Sequence, residues 1–266
     1  LNPDQAEFGG LSGLEVEGPD RLIAISDRGW IMRIGKRPPH AVTGFQALGG
    51  LPSQGYLRDA ESLRRAPDGG WWVTFEGVNR LAWHKPGWQG LTGSPRAHLL
   101  RAAFRGIDGN RGLEAVAALP DGRGLAMIEE SGDARSVLFD GAGRVLRRLA
   151  YRTDAPPVDA LALPNGGLLI LTRRLSWPLP IAFITHLEYA APGWAERDRF
   201  ESRTLASLNP ALPAENYEGL AAEPLAGGGW RVWLVSDDNQ FFLQSTVLAW
   251  LDLPAECLKP AAHCQL

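Results

Sequence analysis

Eight carboxylates recur at matching places along this sequence. Carboxylates gathered by a fold do two kinds of chemistry: they bind hard cations through oxygen, and they move protons. One set is Glu61, Glu114, Asp159 and Glu218, each followed by a small and then an aliphatic residue, with Ser12 in the corresponding place of a further copy. The other set is Asp27, Glu76, Glu129 and Asp237, each closing an apolar run, with Arg174 in the matching place. Converging carboxylates repel one another and stay ionised only beside a cation or hydrogen-bond donors. A quasi-symmetric set of oxygen ligands suits calcium, which accepts flexible geometry, better than magnesium. In that arrangement Glu61 or Glu114 would serve as general base, and Arg28, Arg111 or Arg174 would meet developing negative charge. The competing reading is structural, with the same carboxylates bonding backbone N–H groups or pairing with Arg28, Arg111, Arg173 and Arg174.

The elements that must position these residues repeat five times. Each copy is a short strand, a Pro/Gly/Asp turn and a second, more apolar strand, as in Glu61-Ser62-Leu63, Pro67-Asp68-Gly69 and Trp71 to Glu76. Proline presets φ, and Asn or Gly accepts positive φ, so Pro120-Asp121-Gly122 and Pro164-Asn165-Gly166 turn in the same way. Further strand-like runs follow each hairpin, among them Trp30 to Ile34, Arg135 to Phe139, Ala182 to Tyr189 and Thr246 to Leu253. Four antiparallel strands per repeat make a propeller blade. The expectation is an all-β chain forming one β-propeller domain over residues 1–266, with five blades and room for a degenerate sixth. Residues Ala190 to Ala214 read as an elongated outer strand and loop of the fourth blade. The start of a blade's first strand and the end of its second share a face, so the two acidic sets form two rings at one mouth, interrupted at Ser12 and Arg174.

Other chemistry is excluded by what is absent. The 27 Lys and Arg against 30 Asp and Glu are scattered and leave a net charge of −3, which argues against nucleic acid as a partner. No apolar run is long enough to span a membrane. The five histidines show no zinc spacing, and no nucleophile elbow or phosphate-loop fingerprint occurs. Cys257 and Cys264 are free thiols or one short bridge. Trp177 and Trp194, in loop-like surroundings, are candidates to stack on a ligand.

The ordered motifs Phe8-Gly9-Gly10-Leu11-Ser12-Gly13-Leu14, Ile25-Ser26-Asp27-Arg28-Gly29, Asp59-Ala60-Glu61-Ser62-Leu63, Asn110-Arg111-Gly112-Leu113-Glu114-Ala115, Asn216-Tyr217-Glu218-Gly219-Leu220 and Val235-Ser236-Asp237-Asp238-Asn239 span nearly the whole chain. In this order the sequence resembles the bacterial "esterase-like activity of phytase" family. The resemblance implies a propeller exported to the periplasm or secreted, and it carries over Asp27, Glu61, Glu114, Glu218, Asp237, Asp238 and Asn239. Three functions follow in order of preference. The first is a calcium-dependent hydrolase of small phosphate or carboxylate esters. The second is a non-catalytic module binding a ligand or a protein loop, and the third a lactonase acting on sugar acids.

Overall fold

A computed structural model describes residues 1, 7–51, 58–107, 112–176, 182–209, 212–239, 241 and 243–259. Arg111, Trp177 and Cys264 lie outside the described residues. Five small antiparallel sheets stand around a common axis as a five-bladed β-propeller. The first blade is β1 (Leu11–Val16), β2 (Arg21–Ser26), β3 (Trp30–Gly35) and β4 (Val42–Ala47). The second is β5 (Ala60–Arg65), β6 (Trp71–Phe75), β7 (Arg80–His84) and β8 (Ala97–Leu99). The third contains β9 (Leu113–Ala118), β10 (Gly124–Ile128), β11 (Gly132–Phe139) and β12 (Val145–Thr153). The fourth contains β13 (Pro157–Ala162), β14 (Leu168–Ser176) and β15 (Ala182–Ala190). Two short strands follow, β16 (Arg199–Glu201) and β17 (Arg203–Ser207), and the fifth blade is β18 (Asn216–Pro224), β19 (Trp230–Asp237) and β20 (Leu248–Leu253).

The hairpin turns form as their residues require. Asp68, Asp121 and Asn165 each accept a hydrogen bond from the backbone N–H two residues on, at 2.9, 3.0 and 2.9 Å. Gly122 supplies the left-handed backbone (φ 88°) that this turn needs.

Blades adhere because the second strands are apolar on both faces. Trp71, Val73 and Phe75 pack towards the first blade with Ile23 and Ile25, while Trp72 faces the third blade against Phe139. Leu168 and Ile170 likewise meet the third blade, and Leu169 and Leu171 the fifth. A last layer joins Trp233 and Val235 to Leu22 and Ala24, so the ring closes between the fifth and first blades.

Two expectations change at the periphery. The segment after β15 is divided between blades: β16 pairs parallel with β12, in the third blade, and β17 forms the outer strand of the fourth. Among the described residues the fifth blade has three strands rather than four. Trp194 is no ligand platform. It is 3% exposed, packs against Phe200, and donates its indole N–H to the Gly166 carbonyl at 3.1 Å.

Candidate functional site

Every inner strand carries a β-bulge at its second residue, or at its third in the fifth blade, and bulges re-aim side chains beside functional sites. The unpaired or shifted residues are Ser12, Glu61, Glu114, Val158 and Glu218. The neighbouring strand ends are fixed by one repeated backbone bond: Asp27 to Gly10, Glu76 to Asp59, Glu129 to Gly112 and Arg173 to Pro156, at 2.9 to 3.1 Å. In the fifth blade Asp237 pairs with Asn216. These two positions per blade form the mouth.

That register corrects two assignments in the fourth blade. Asp159 is not the counterpart of Glu61; Val158 is. Arg174 is not the counterpart of Glu76; Arg173 is. A shift of one residue sends a strand's side chains to the opposite face. Arg174 is accordingly exposed on the outer flank with His186 and Glu188, away from the mouth. Asp159 drops one layer into the axis, where the other blades place Gly13, Ser62, Ala115 and Gly219. There its carboxylate accepts from Ser62 Oγ (2.7 Å) and the Leu220 N–H (2.8 Å) and pairs with Arg64 Nη2 (2.7 Å). Arg64, 2% exposed, also donates to the carbonyls of Ala160 and Leu14, so one ion pair closes the channel beneath the mouth. Burial outweighs Arg64 and pushes the Asp159 carboxyl up to about 6.

The remaining acidic positions converge as the sequence suggested, and Asp59 joins them. Carboxylate oxygens of Asp59, Glu61 and Glu76 lie within 4.8 Å of one another, as do those of Glu76, Glu114 and Glu129. The charge of Asp59 is among the causes that raise the carboxyls of Glu61 and Glu76. Burial first, and then neighbouring carboxylates, push Glu61 and Glu114 well above the ordinary range. Burial likewise raises Asp27, Glu76 and Asp237 to about 7.

Among the described residues a half-buried cation answers this charge directly. Arg173 donates to Glu218, to Asn216 and, at 3.1 Å, to Glu129. Burial opposes its charge, but Glu218, Glu129 and Glu114 outweigh burial and hold its pKa above the ordinary value. Asn216 completes the bracket, donating to Glu218 at 2.8 Å. At the rim Arg28 lies 3.9 Å from both Asp27 and Asp238. Asp238 is fixed by the Gly10 N–H and Thr246 Oγ1, at 3.3 and 3.0 Å.

Gly10 shows how closely backbone and carboxylate approach. It has φ 64°, and a Cβ there would lie 2.0 Å from Asp27 Oδ1. Gly10→Ala is therefore expected to destabilise the protein by about 1–3 kcal/mol, the usual cost of a strained residue. An unchanged urea midpoint would contradict this.

With this geometry in place, the comparison with known families becomes specific. The family model described as esterase-like activity of phytase matches residues 6–240. The chain belongs to this family. No curated protein matches the sequence significantly. Among solved structures, a thermostable family-43 glycoside hydrolase superimposes with a TM-score of 0.56 at 7% identity, over 92% of this chain and 90% of that one. A gluconolactonase candidate gives 0.52 at 16% identity, over 94% and 76%. Virginiamycin B lyase from Staphylococcus aureus gives 0.48 at 12% identity, over 96% and 87%. At such identities the first two likenesses show the fold alone. Within the esterase-like phytase family fold, the acidic mouth is what this chain's own side chains build.

Proposed function

We propose that this phytase-like propeller is a calcium-dependent hydrolase of small phosphate or carboxylate esters, working at the acidic mouth. The observation that carries the reading is the pair of three-carboxylate groups sharing Glu76. Calcium–oxygen bonds run about 2.3–2.6 Å, so ligand oxygens on one ion lie within about 5 Å of each other, and the donor set is all oxygen. The residues present thus fit calcium. Asp59, Glu61, Glu76, Glu114 and Glu129 would hold it. When bound, the ion supplies Lewis-acid polarisation of the ester oxygen and a site for the attacking water.

The chain's own side chains divide the remaining work. Glu61 and Glu114 are buried, at 8% and 7% exposure, which suits ligands better than proton carriers. Asp27 is more open, and its carboxyl near 7 suits a general base at neutral pH. Arg28 beside it faces the rim, where an anionic ester would enter. Arg173, held by Glu218, Glu129 and Asn216, keeps the carboxylates in place rather than gripping substrate.

The test combines calorimetric calcium titration with turnover of p-nitrophenyl phosphate and p-nitrophenyl acetate. EDTA should abolish turnover and calcium restore it. Glu76→Gln should lower kcat/KM by about two orders of magnitude or more, the scale of an ion that contributes several kcal/mol. Absence of chelator-sensitive turnover on every ester tried would overturn the reading. Export to the periplasm or medium belongs to the same proposal. The disulfide at Cys257 supports it, since such bonds persist in oxidising compartments.

A further inference from the structure

A second polar cavity, of about 520 Å³, opens beside the acidic mouth and carries the opposite charge. Its wall begins at Gly77, one residue beyond Glu76, runs through Val78 and Asn79, and is completed by the turn segment from Arg101 to Ile107. The segment is fixed by its apolar residues. Leu100, Phe104 and Ile107 are buried in the layer between the second and third blades. Arg101 and Arg105 are exposed on the same turn, and neither has an acidic partner or hydrogen bond among the described residues.

Asn79 joins the two walls. It adopts φ 45°, its N–H donates to the Glu76 carbonyl at 3.0 Å, and its side-chain Nδ2 donates to the Ile107 carbonyl at 3.0 Å. The turn that carries Glu76 and the turn that carries the arginines are thereby held in fixed relation. Positive charges also act on one another here. Burial and then the positive charges of Arg80 and Arg101 press down the imidazole of His98, and Arg80 itself is lowered by burial and by Arg101. In a chain of net charge −3, a cavity edged by two guanidinium groups without acidic partners among the described residues has one chemical complement, an anion with several oxygens, which guanidinium binds through paired N–H donors.

We infer that the cavity lined by Asn79, Arg101 and Arg105 is an anion-binding pocket for a phosphate or carboxylate group. That the group belongs to the substrate, which then carries a second anion beside the ester cleaved at the mouth, rests on the hydrolase reading above. The anion site itself does not.

Inorganic phosphate is the probe that separates the two. In EDTA, titration of the full chain with phosphate should produce saturable heat or a saturable rise in Tm. The double variant Arg101→Ala/Arg105→Ala, altered only at exposed turn positions, should weaken that response at least tenfold. The same variant should bind calcium as the parent does, whereas Glu76→Gln should lose calcium and keep phosphate. Phosphate binding that is absent, or equal in parent and double variant, overturns the pocket. For the substrate claim, KM for a bis-phosphate ester should be lower than for the matching monophosphate, and the double variant should erase that preference with kcat retained. Equal KM values in the parent, with phosphate binding intact, leave an anion pocket and overturn its role in substrate recognition.

Discussion

In calcium-free buffer the protein is expected to lose stability steadily as pH rises from about 4 to about 8, with calcium restoring it. The direction follows from Asp27, Glu76 and Asp237. Their carboxyls stand near 7 in the fold, against ordinary values of 3.8 for Asp and 4.5 for Glu. Between those limits the folded chain holds protons that the unfolded chain has released, so unfolding is favoured as protons become scarce. The stabilisation is fully present below the unfolded values and gone above the folded ones. Asp159, raised from 3.8 to about 6, adds the same sign over the lower part of the window. Calcium competes with these protons, so its effect should be small at pH 5 and largest at pH 8. At a hundredfold excess over Kd, a ligand of the folded state adds about 2.7 kcal/mol. In a domain of this size that is a rise of about 5–10 °C in Tm. Scanning calorimetry in EDTA and in calcium, at pH 5 and pH 8, decides the matter. A Tm in EDTA that is flat or rises with pH, or a calcium shift equal at both pH values, would contradict a cation-requiring mouth.

Much of this arrangement was legible in the sequence because its cause is local. Each Pro-Asx-Gly turn is written in adjacent residues, and runs such as Leu168 to Leu171 are apolar on both faces because every blade has two neighbours. Repetition then supplies the ring. Register is a different matter. Asp159-Ala160-Leu161 matches Glu114-Ala115-Val116 in residue type, yet the bulge falls on Val158, so residue type places the fourth blade one residue late and puts Arg174 where Arg173 stands. A bulge is fixed by how a strand meets its neighbours, and no residue type announces it. Asp59 escapes the repeat for a related reason. Its counterparts are Gly10, Gly112, Pro156 and Asn216, so nothing recurs there for a repeat to reveal. The three-residue strand at Arg199–Glu201 is likewise too short to show a period, and its parallel partner lies in another blade.

Asp159→Ala is expected to be among the most destabilising single changes in the chain, at about 3–5 kcal/mol, because it leaves the Arg64 guanidinium buried without its counter-ion. Arg64 is 2% exposed and Asp159 fully buried, so water cannot replace either partner. The double change Arg64→Met/Asp159→Leu removes both charges and should cost clearly less than the two single changes added together, since the largest part of each is an orphaned ion. Urea unfolding of the four proteins measures the coupling directly, and additive costs would mean that the two side chains act independently. Asp159→Asn also removes the counter-ion but keeps the side-chain volume and one acceptor oxygen, which can serve Ser62 Oγ or the Leu220 N–H, donors that bond different oxygens of Asp159. The pair also forms the floor of the mouth: Ser62 adjoins Glu61, and Leu220 lies two residues beyond Glu218. If the floor sets the carboxylate spacing above it, Asp159→Asn should weaken calcium binding in calorimetry although it touches no proposed ligand. Calcium affinity unchanged in that variant would confine the Arg64–Asp159 pair to holding the blades together.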